Sequence, residues 1–168
     1  MANLCTVGHN GTATAEMRTL VLRDVGEDLA IFINSTSPKW SPLSHSVSVL
    51  TYWPSIQAQF RILANTSSVA EDFVADSWQL RPDPPKRMDW FYSTVKAQSS
   101  RIESREQLLE EVAAVELPDP LVAPQTARGL ILSPYLIERL DLSQDNGIHD
   151  RMRYEKRGDT WVGTTLVP

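Results

Sequence analysis

Cysteine is nearly absent from this chain: Cys5 stands alone among 168 residues. That excludes a disulfide framework and any CxxC metal or redox pair, and a lone strand cysteine reads as a small core residue. Histidine is scarce as well. His9, His45 and His149 lie far apart without ligand spacing, so no metal site is expected. The glycines form no GxGxxG or GxxxxGK[ST] loop, and neither GxSxG nor HExxH occurs. The longest apolar runs, such as LAIFI, are far too short to span a bilayer. MANLCTVGHN lacks the basic-then-apolar order of a signal peptide. A net charge of −5, with no Lys/Arg block, argues against non-specific attraction to nucleic acid. The expectation is a soluble, cytoplasmic protein without nucleic-acid or membrane partners. Its 42% apolar content suits one ordinary globular domain over residues 1–168.

What is present reads first as strands. LCTVGH and TATAEMRTLVLRDV flank Asn10-Gly11, the dipeptide that best tolerates the positive φ angles of a tight hairpin. LAIFINS supplies a third strand. SVSVLTYWPS and IQAQFRILANTS supply two more, with a turn at Pro54-Ser55. Short links between successive strands predict an antiparallel sheet curling into a barrel. RGLILSPYLIERLDL and RMRYEKRGDTWVGTTLVP return to the strand pattern, with Gly158-Asp159 turning a last hairpin.

Helices interrupt the strands. Ser37-Pro38 predicts a short helix over PKWSPLSHS. Ser68 and Glu71 read as a capping box opening SVAEDFVADSWQL, and Ser104 and Gln107 as another opening SREQLLEEVAAV. RPDPPKRMDW and ELPDPLVAPQ read as proline-rich breakers without regular structure. The fold class is therefore α+β, an antiparallel split β-barrel with a few short helices.

The chemistry available is cationic. Arg18, Arg23, Lys39, Arg61, Arg81, Arg101 and Arg151 lie on or beside strands or helix starts. Arg18 has apolar strand neighbours, where an unpaired charge is costly. It either pairs with a carboxylate such as Glu16 or grips an anionic ligand, since a guanidinium bonds two phosphate oxygens at once. Lys39, at a predicted helix start, suits an anion for the same electrostatic reason. The segment GIHDRMRYEK, residues 147–156, is either a charged strand end with Asp150 pairing one arginine or a site reading a ligand.

Four stretches fall in order along the chain: MRTLVLRDVGEDLAIFINSTSPK, VLTYWPSIQAQFRI, QSSRIESREQLLEEV and IHDRMRYEKRGDTWVGTTLVP. Together they resemble the pyridoxamine 5′-phosphate oxidase family, whose fold is an FMN-binding split barrel. The resemblance runs from the first hairpin to the last proline. The family carries a helical segment ahead of the first strand, whereas this chain begins at the strand.

The resemblance implies a flavin site drawn from most of the chain. FMN would be held from the strand Arg18, Thr19, Leu20, Val21, Leu22 and Arg23, and its phosphate also from Ser37 and Lys39. Phe32 and Ile33 would line the flavin, Gln59 would address its ring, and Gln98, Ser99 and Arg151 would complete the contacts. Arg23, Arg81 and His149 would bind substrate, with His149 catalytic and facing it. Strand alternation would aim Arg151 at the flavin and Asp150 away. Four positions depart from the family pattern: Pro38 for an arginine, Ser77 for a tyrosine, Asp141 for a tryptophan and Gly147 for an arginine. The implied activity is an FMN-dependent oxidase transferring hydride from pyridoxine or pyridoxamine 5′-phosphate to the flavin, with reoxidation by O₂. The alternatives are an FMN enzyme of the same fold with another substrate, or a non-catalytic flavin-binding barrel. The resemblance also implies a homodimer with a flavin between the two chains.

Overall fold

Alternation along two neighbouring strands sets the packing of the first part of the molecule. The structure, a computed structural model, describes residues 2–7, 15–38, 40 and 46–168, the side chains of 2–7, 15, 16 and 18 excepted. In strand order these form β1 (Ala2–Val7), β2 (Ala15–Leu20), β3 (Arg23–Val25), β4 (Asp28–Asn34), β5 (Ser46–Trp53) and β6 (Ala58–Ser68). Three helices follow: α1 (Glu71–Gln79), α2 (Asp83–Thr94) and α3 (Arg105–Ala113). Then come β7 (Ala127–Asp141), β8 (Asp150–Arg157) and β9 (Thr160–Leu166). The strands make one sheet in the order β2-β1-β5-β6-β7-β4-β3, with β8 on β7 and β9 on β8. Every pairing with a defined register is antiparallel.

The chain gathers into two compact units. One comprises Met1–Ile31, Pro42–Ser67 and Ile131–Pro168, the other Phe32–Ser41 and Ser68–Leu130. In the first, Val47, Val49 and Thr51 of β5 point inward, as do Ala58, Ile62 and Ala64 of β6. Val47 lies opposite Ala64 and Val49 opposite Ile62, so the small and branched side chains interdigitate. Each Val or Ile so buried stabilises by about 1.5–3 kcal/mol. The β5–β6 turn falls where Pro54-Ser55 predicts it, as a 3₁₀ turn over Pro54–Ile56 closed by Gln57 in the left-handed region. Arg157 and Thr160 face each other across the β8–β9 hairpin. That leaves Gly158-Asp159 as its two-residue loop, with Gly158 at φ +62. The partner strands of the Asn10-Gly11 hairpin, β1 and β2, pair as expected; the turn itself lies outside the described residues, as does most of PKWSPLSHS.

Two helix expectations need correction in the second unit. RPDPPKRMDW is not irregular: α2 runs through it. Pro84 and Pro85 fall in the first turn, where a helix has no bond for their missing N–H groups to lose. The Ser68–Glu71 capping box is not formed either. β6 continues to Ser68, and α1 starts at Glu71 behind Ala70, which caps without a side chain. Val69 explains the shift: its side chain is buried, and its N–H donates to the Gly129 carbonyl at 2.9 Å, which holds the chain extended. At α3 the Ser104 cap forms, but the return bond from Gln107 goes to the N–H one residue before the cap rather than to that of Ser104. Gln107 N–H donates to Ser104 Oγ at 3.1 Å, and Gln107 Oε1 accepts from Glu103 N–H at 3.2 Å.

Gly129 is buried on β7, and a Cβ there would lie 2.8 Å from Val69 Cγ2 and 2.9 Å from Phe32 Cε1. Neither neighbour is a free side-chain end: Phe32 is stacked on Phe73, centroids 6.4 Å apart. Gly129→Ala should therefore destabilise by about 1–3 kcal/mol through overpacking. Urea denaturation measures this, and a loss under about 0.5 kcal/mol would show that the site has slack.

Candidate functional site

In the first unit, the segment expected to hold the flavin phosphate leaves the ladder at Val21–Leu22 and resumes as β3. Thr19, Val21 and Arg23 are exposed, Leu20 and Leu22 half-buried. Arg23 makes no ion pair among the described residues, so its charge is available to an anion. The Arg18 backbone pairs opposite Leu4; its side chain lies outside the description, as does Lys39. Gln59 is half-buried on β6 opposite Tyr52.

The strongest electrostatic feature of this unit centres on Glu138. Its parity on β7 matches Leu136 and Leu140, and its side chain is 6% exposed. One carboxylate oxygen accepts from Arg61 at 2.6 Å and from Arg151 at 2.8 Å. The other accepts two bonds from Arg153, at 3.0 and 2.8 Å. Burial alone would raise the Glu138 pKa. Bonds from Arg151, Arg153 and Arg61 outweigh it and hold the group at about 2. The alternative reading in which Asp150 pairs an arginine is thus corrected: Arg151 and Arg153 both turn to Glu138.

The loop between β7 and β8 is built from local bonds. Asp141, at the departing tryptophan position, is buried and accepts from Ser143 Oγ at 2.6 Å and Ser143 N–H at 2.9 Å. Those two bonds chiefly, with paired Arg139, hold its carboxyl at about 2. It therefore serves as a turn-forming residue. Further on, Asn146 Oδ1 accepts from Ile148 N–H at 2.9 Å, and Gly147 adopts φ +71. An arginine at 147 would be strained, so Gly147→Arg is not a route to restoring the family's contact. His149 is exposed at the end of this loop.

In the second unit, the turn after β4 is organised by Asn34, which is 5% exposed. Its Oδ1 accepts from Thr36 N–H at 3.0 Å and Thr36 Oγ1 at 2.8 Å, while its Nδ2 donates to Thr126 Oγ1 at 3.0 Å. Thr36 Oγ1 in turn accepts from Gln98 N–H at 3.2 Å. The network ties the turn carrying buried Ser37 to the turn carrying Gln98 and Ser99, the latter at φ +71. Ile33 is buried and Phe32 half-buried. Two segments expected to serve one ligand group are thereby brought together, by residues that carry no such signal in the sequence.

Arg81 lies elsewhere in this unit, 3.5 Å from Asp89 Oδ2, which also accepts from Trp78 Nε1 at 2.8 Å. Burial raises the Asp89 pKa against the opposing pull of Arg81 and the Trp78 bond. Trp78 is buried, with the Lys86 ammonium 5.5 Å from its ring centroid, so it belongs to the core beside half-buried Ser77. A cavity of about 290 Å³ lined by Val69, Val74, Ala75, Pro124 and Arg128 contains none of the expected site residues.

No family model matches the chain. Individual proteins do. The pyridoxine/pyridoxamine 5′-phosphate oxidase of Mannheimia succiniciproducens is 28% identical over 171 residues, covering 99% of this chain and 78% of that protein. That of Neisseria meningitidis serogroup C is 28% identical over 164 residues, covering 95% and 76%. Over nearly its whole length the chain is similar to pyridoxine/pyridoxamine 5′-phosphate oxidases. Two solved structures share the fold of this chain. PhzG from Burkholderia lata 383, in complex with tetrahydrophenazine-1-carboxylic acid, has a TM-score of 0.81 at 24% identity, covering 99% of this chain and 81% of that one. A pyridoxamine 5′-phosphate oxidase-related, FMN-binding protein from Nostoc punctiforme PCC 73102 has a TM-score of 0.78 at 19% identity, covering 99% and 86%. The α+β split barrel expected from the sequence is the fold found. Among the described residues no helix is long and apolar enough to cross a membrane.

Because the Glu138 pKa in the folded protein, about 2, lies below its ordinary 4.5, its pairing stabilises above about pH 4.5 and is lost as pH falls toward 2. Asp141 acts in the same direction. Glu138→Gln should lower stability at pH 7, by about 3 kcal/mol if the three arginines are left facing a neutral group. It should also flatten the acid limb of the stability profile. Urea midpoints at pH 6 and pH 3 check both; an equally steep acid limb in the variant would show that Glu138 does not carry it.

Proposed function

We propose that this chain is an FMN-dependent oxidase of the pyridoxine/pyridoxamine 5′-phosphate oxidase type. One observation carries the reading: similarity to curated oxidases extends over 99% of the chain rather than over a cofactor motif alone. The donor set supports it. Exposed Arg23, the arginine-rich cluster at Glu138 and the hydroxyls of Ser37 and Ser99 suit an anionic ligand with many hydrogen-bond acceptors. Residues 1–168 are taken as a single FMN-binding domain acting as a cytoplasmic homodimer.

In this reading Arg18, Thr19, Leu20, Val21, Leu22 and Arg23 bind the cofactor, together with Gln59, Gln98 and Arg151. Ser37, Lys39 and Ser99 bind its phosphate, and Phe32 and Ile33 supply packing. Bound FMN supplies the redox step: the substrate loses a hydride and a proton, and both end on O₂ as hydrogen peroxide. Arg23 and Arg81 hold the substrate's phosphate, and His149 orients its reacting end. Arg151 offers a donor to the flavin edge where negative charge develops.

A second reading, an FMN enzyme of this fold with a different substrate, is favoured by Ser77 and by Gly147. Both lack the side chain the family uses, and the positive φ at Gly147 bars an easy reversion. Peroxide release from pyridoxamine 5′-phosphate separates the two readings. The oxidase reading expects turnover by the FMN-loaded protein, and FMN binding without turnover would move the substrate elsewhere. His149→Ala should lower kcat at least tenfold while leaving FMN bound, in keeping with loss of a group that orients the reacting end. An unchanged kcat would remove His149 from the site. Light scattering at micromolar concentration should give a dimer.

A further inference from the structure

Three guanidinium groups share one carboxylate at Glu138, leaving a surplus of two positive charges at neutral pH. Nearby carboxylates do not cancel it. Glu155 is 4.0 Å from Arg153 but is also paired with Arg157 at 3.7 Å, and Asp141 is paired with Arg139. The arrangement is built rather than incidental. Arg151 and Arg153 are two residues apart on β8 and share a face, Arg153 stands directly opposite Glu138, and Arg61 reaches the same carboxylate from β6. Without the carboxylate the three cations would repel one another; with a second one the surplus would shrink. The arginine side chains keep a third to a half of their surface in contact with solvent, so donors remain for a ligand.

We infer that Arg61 and Arg153, acting through Glu138, are positioning and charge-setting residues for Arg151, so that bound FMN lies beside a fixed positive surplus that favours its two-electron reduced form. This rests on the FMN reading above. The chemistry is general to flavins. Bound FMN would accept a hydride from the substrate, whose remaining proton would go to solvent, and the reduced flavin would carry more negative charge than the oxidised one. A fixed cation beside the flavin stabilises the reduced state more than the oxidised one. Arg61 and Arg153 touch Glu138, not the flavin, and act through the field and through Arg151.

The test is the midpoint potential of FMN on the loaded protein, measured by reductive titration against a reference dye in wild type, Arg61→Gln, Arg153→Gln and Arg153→Lys. Each arginine-to-glutamine change should shift the preference for reduced over oxidised FMN downward by roughly fivefold, the effect of one charge felt through partly solvated protein. Arg153→Lys, which keeps the charge and loses the fork, should stay near wild type. The Arg61 side chain is 47% exposed, so its variant tests the charge without disturbing the core. Potentials unmoved in both glutamine variants, with only the melting temperature lowered, would make the cluster purely structural and overturn the inference alone. Failure of the wild type to take up FMN would instead overturn the FMN reading, and the inference with it.

Discussion

Glu138 is the constraint on which the first unit's chemistry depends. A carboxylate placed among leucines on a strand is costly unless its oxygens are satisfied, and here four bonds from three arginines satisfy them. The same bonds decide what the arginines can do. Each would otherwise be a partly solvated side chain without a buried partner. Tied to one buried anion, they become a fixed array with an uncompensated positive field. In the proposed function, stability and ligand binding would draw on the same atoms, and the acid sensitivity of the fold and the affinity for an anion would have a common origin.

The second unit solves a related problem with neutral groups. A buried turn must satisfy its own backbone groups without water. Buried Asn34 does so by bonding both the N–H and the hydroxyl of Thr36 and the hydroxyl of Thr126, while Thr36 reaches on to Gln98. A side-chain amide offers two donors and an acceptor in one plane, which few residues could replace. Downstream, Arg81 is paired with buried Asp89.

Much of the fold was legible because it rests on local patterns. Strand alternation in β5 and β6, the Gly158-Asp159 turn and the Ser104 cap all act over a few residues, and all appear where the sequence places them. The errors lay where a distant partner decided. Ser68 has capping chemistry, but the bond from Val69 to Gly129 keeps that stretch extended. The prolines in RPDPP suggest a breaker, although a first turn accepts them. Around Glu138, the cations Arg61 and Arg151 are visible in the sequence, but the partner they share is set by strands distant in the chain. Glu138 sits in LIERL with the parity of its leucines, the same charged-among-apolar signal that Arg18 carries. Asn34 gave no such signal, because an asparagine at a strand end is usually only a turn residue.

The central claim is that these residues form a site for FMN, recognised through its phosphate. Fluorescence titration of the apoprotein with FMN, riboflavin and FAD tests it most directly. The account predicts quenching of FMN at micromolar protein, weaker binding of riboflavin, and a smaller difference between the two in Arg18→Ala, which loses a charge-assisted contact of about 1.5–3 kcal/mol. Equal affinity for FMN and riboflavin, or no quenching by any of the three, would contradict it.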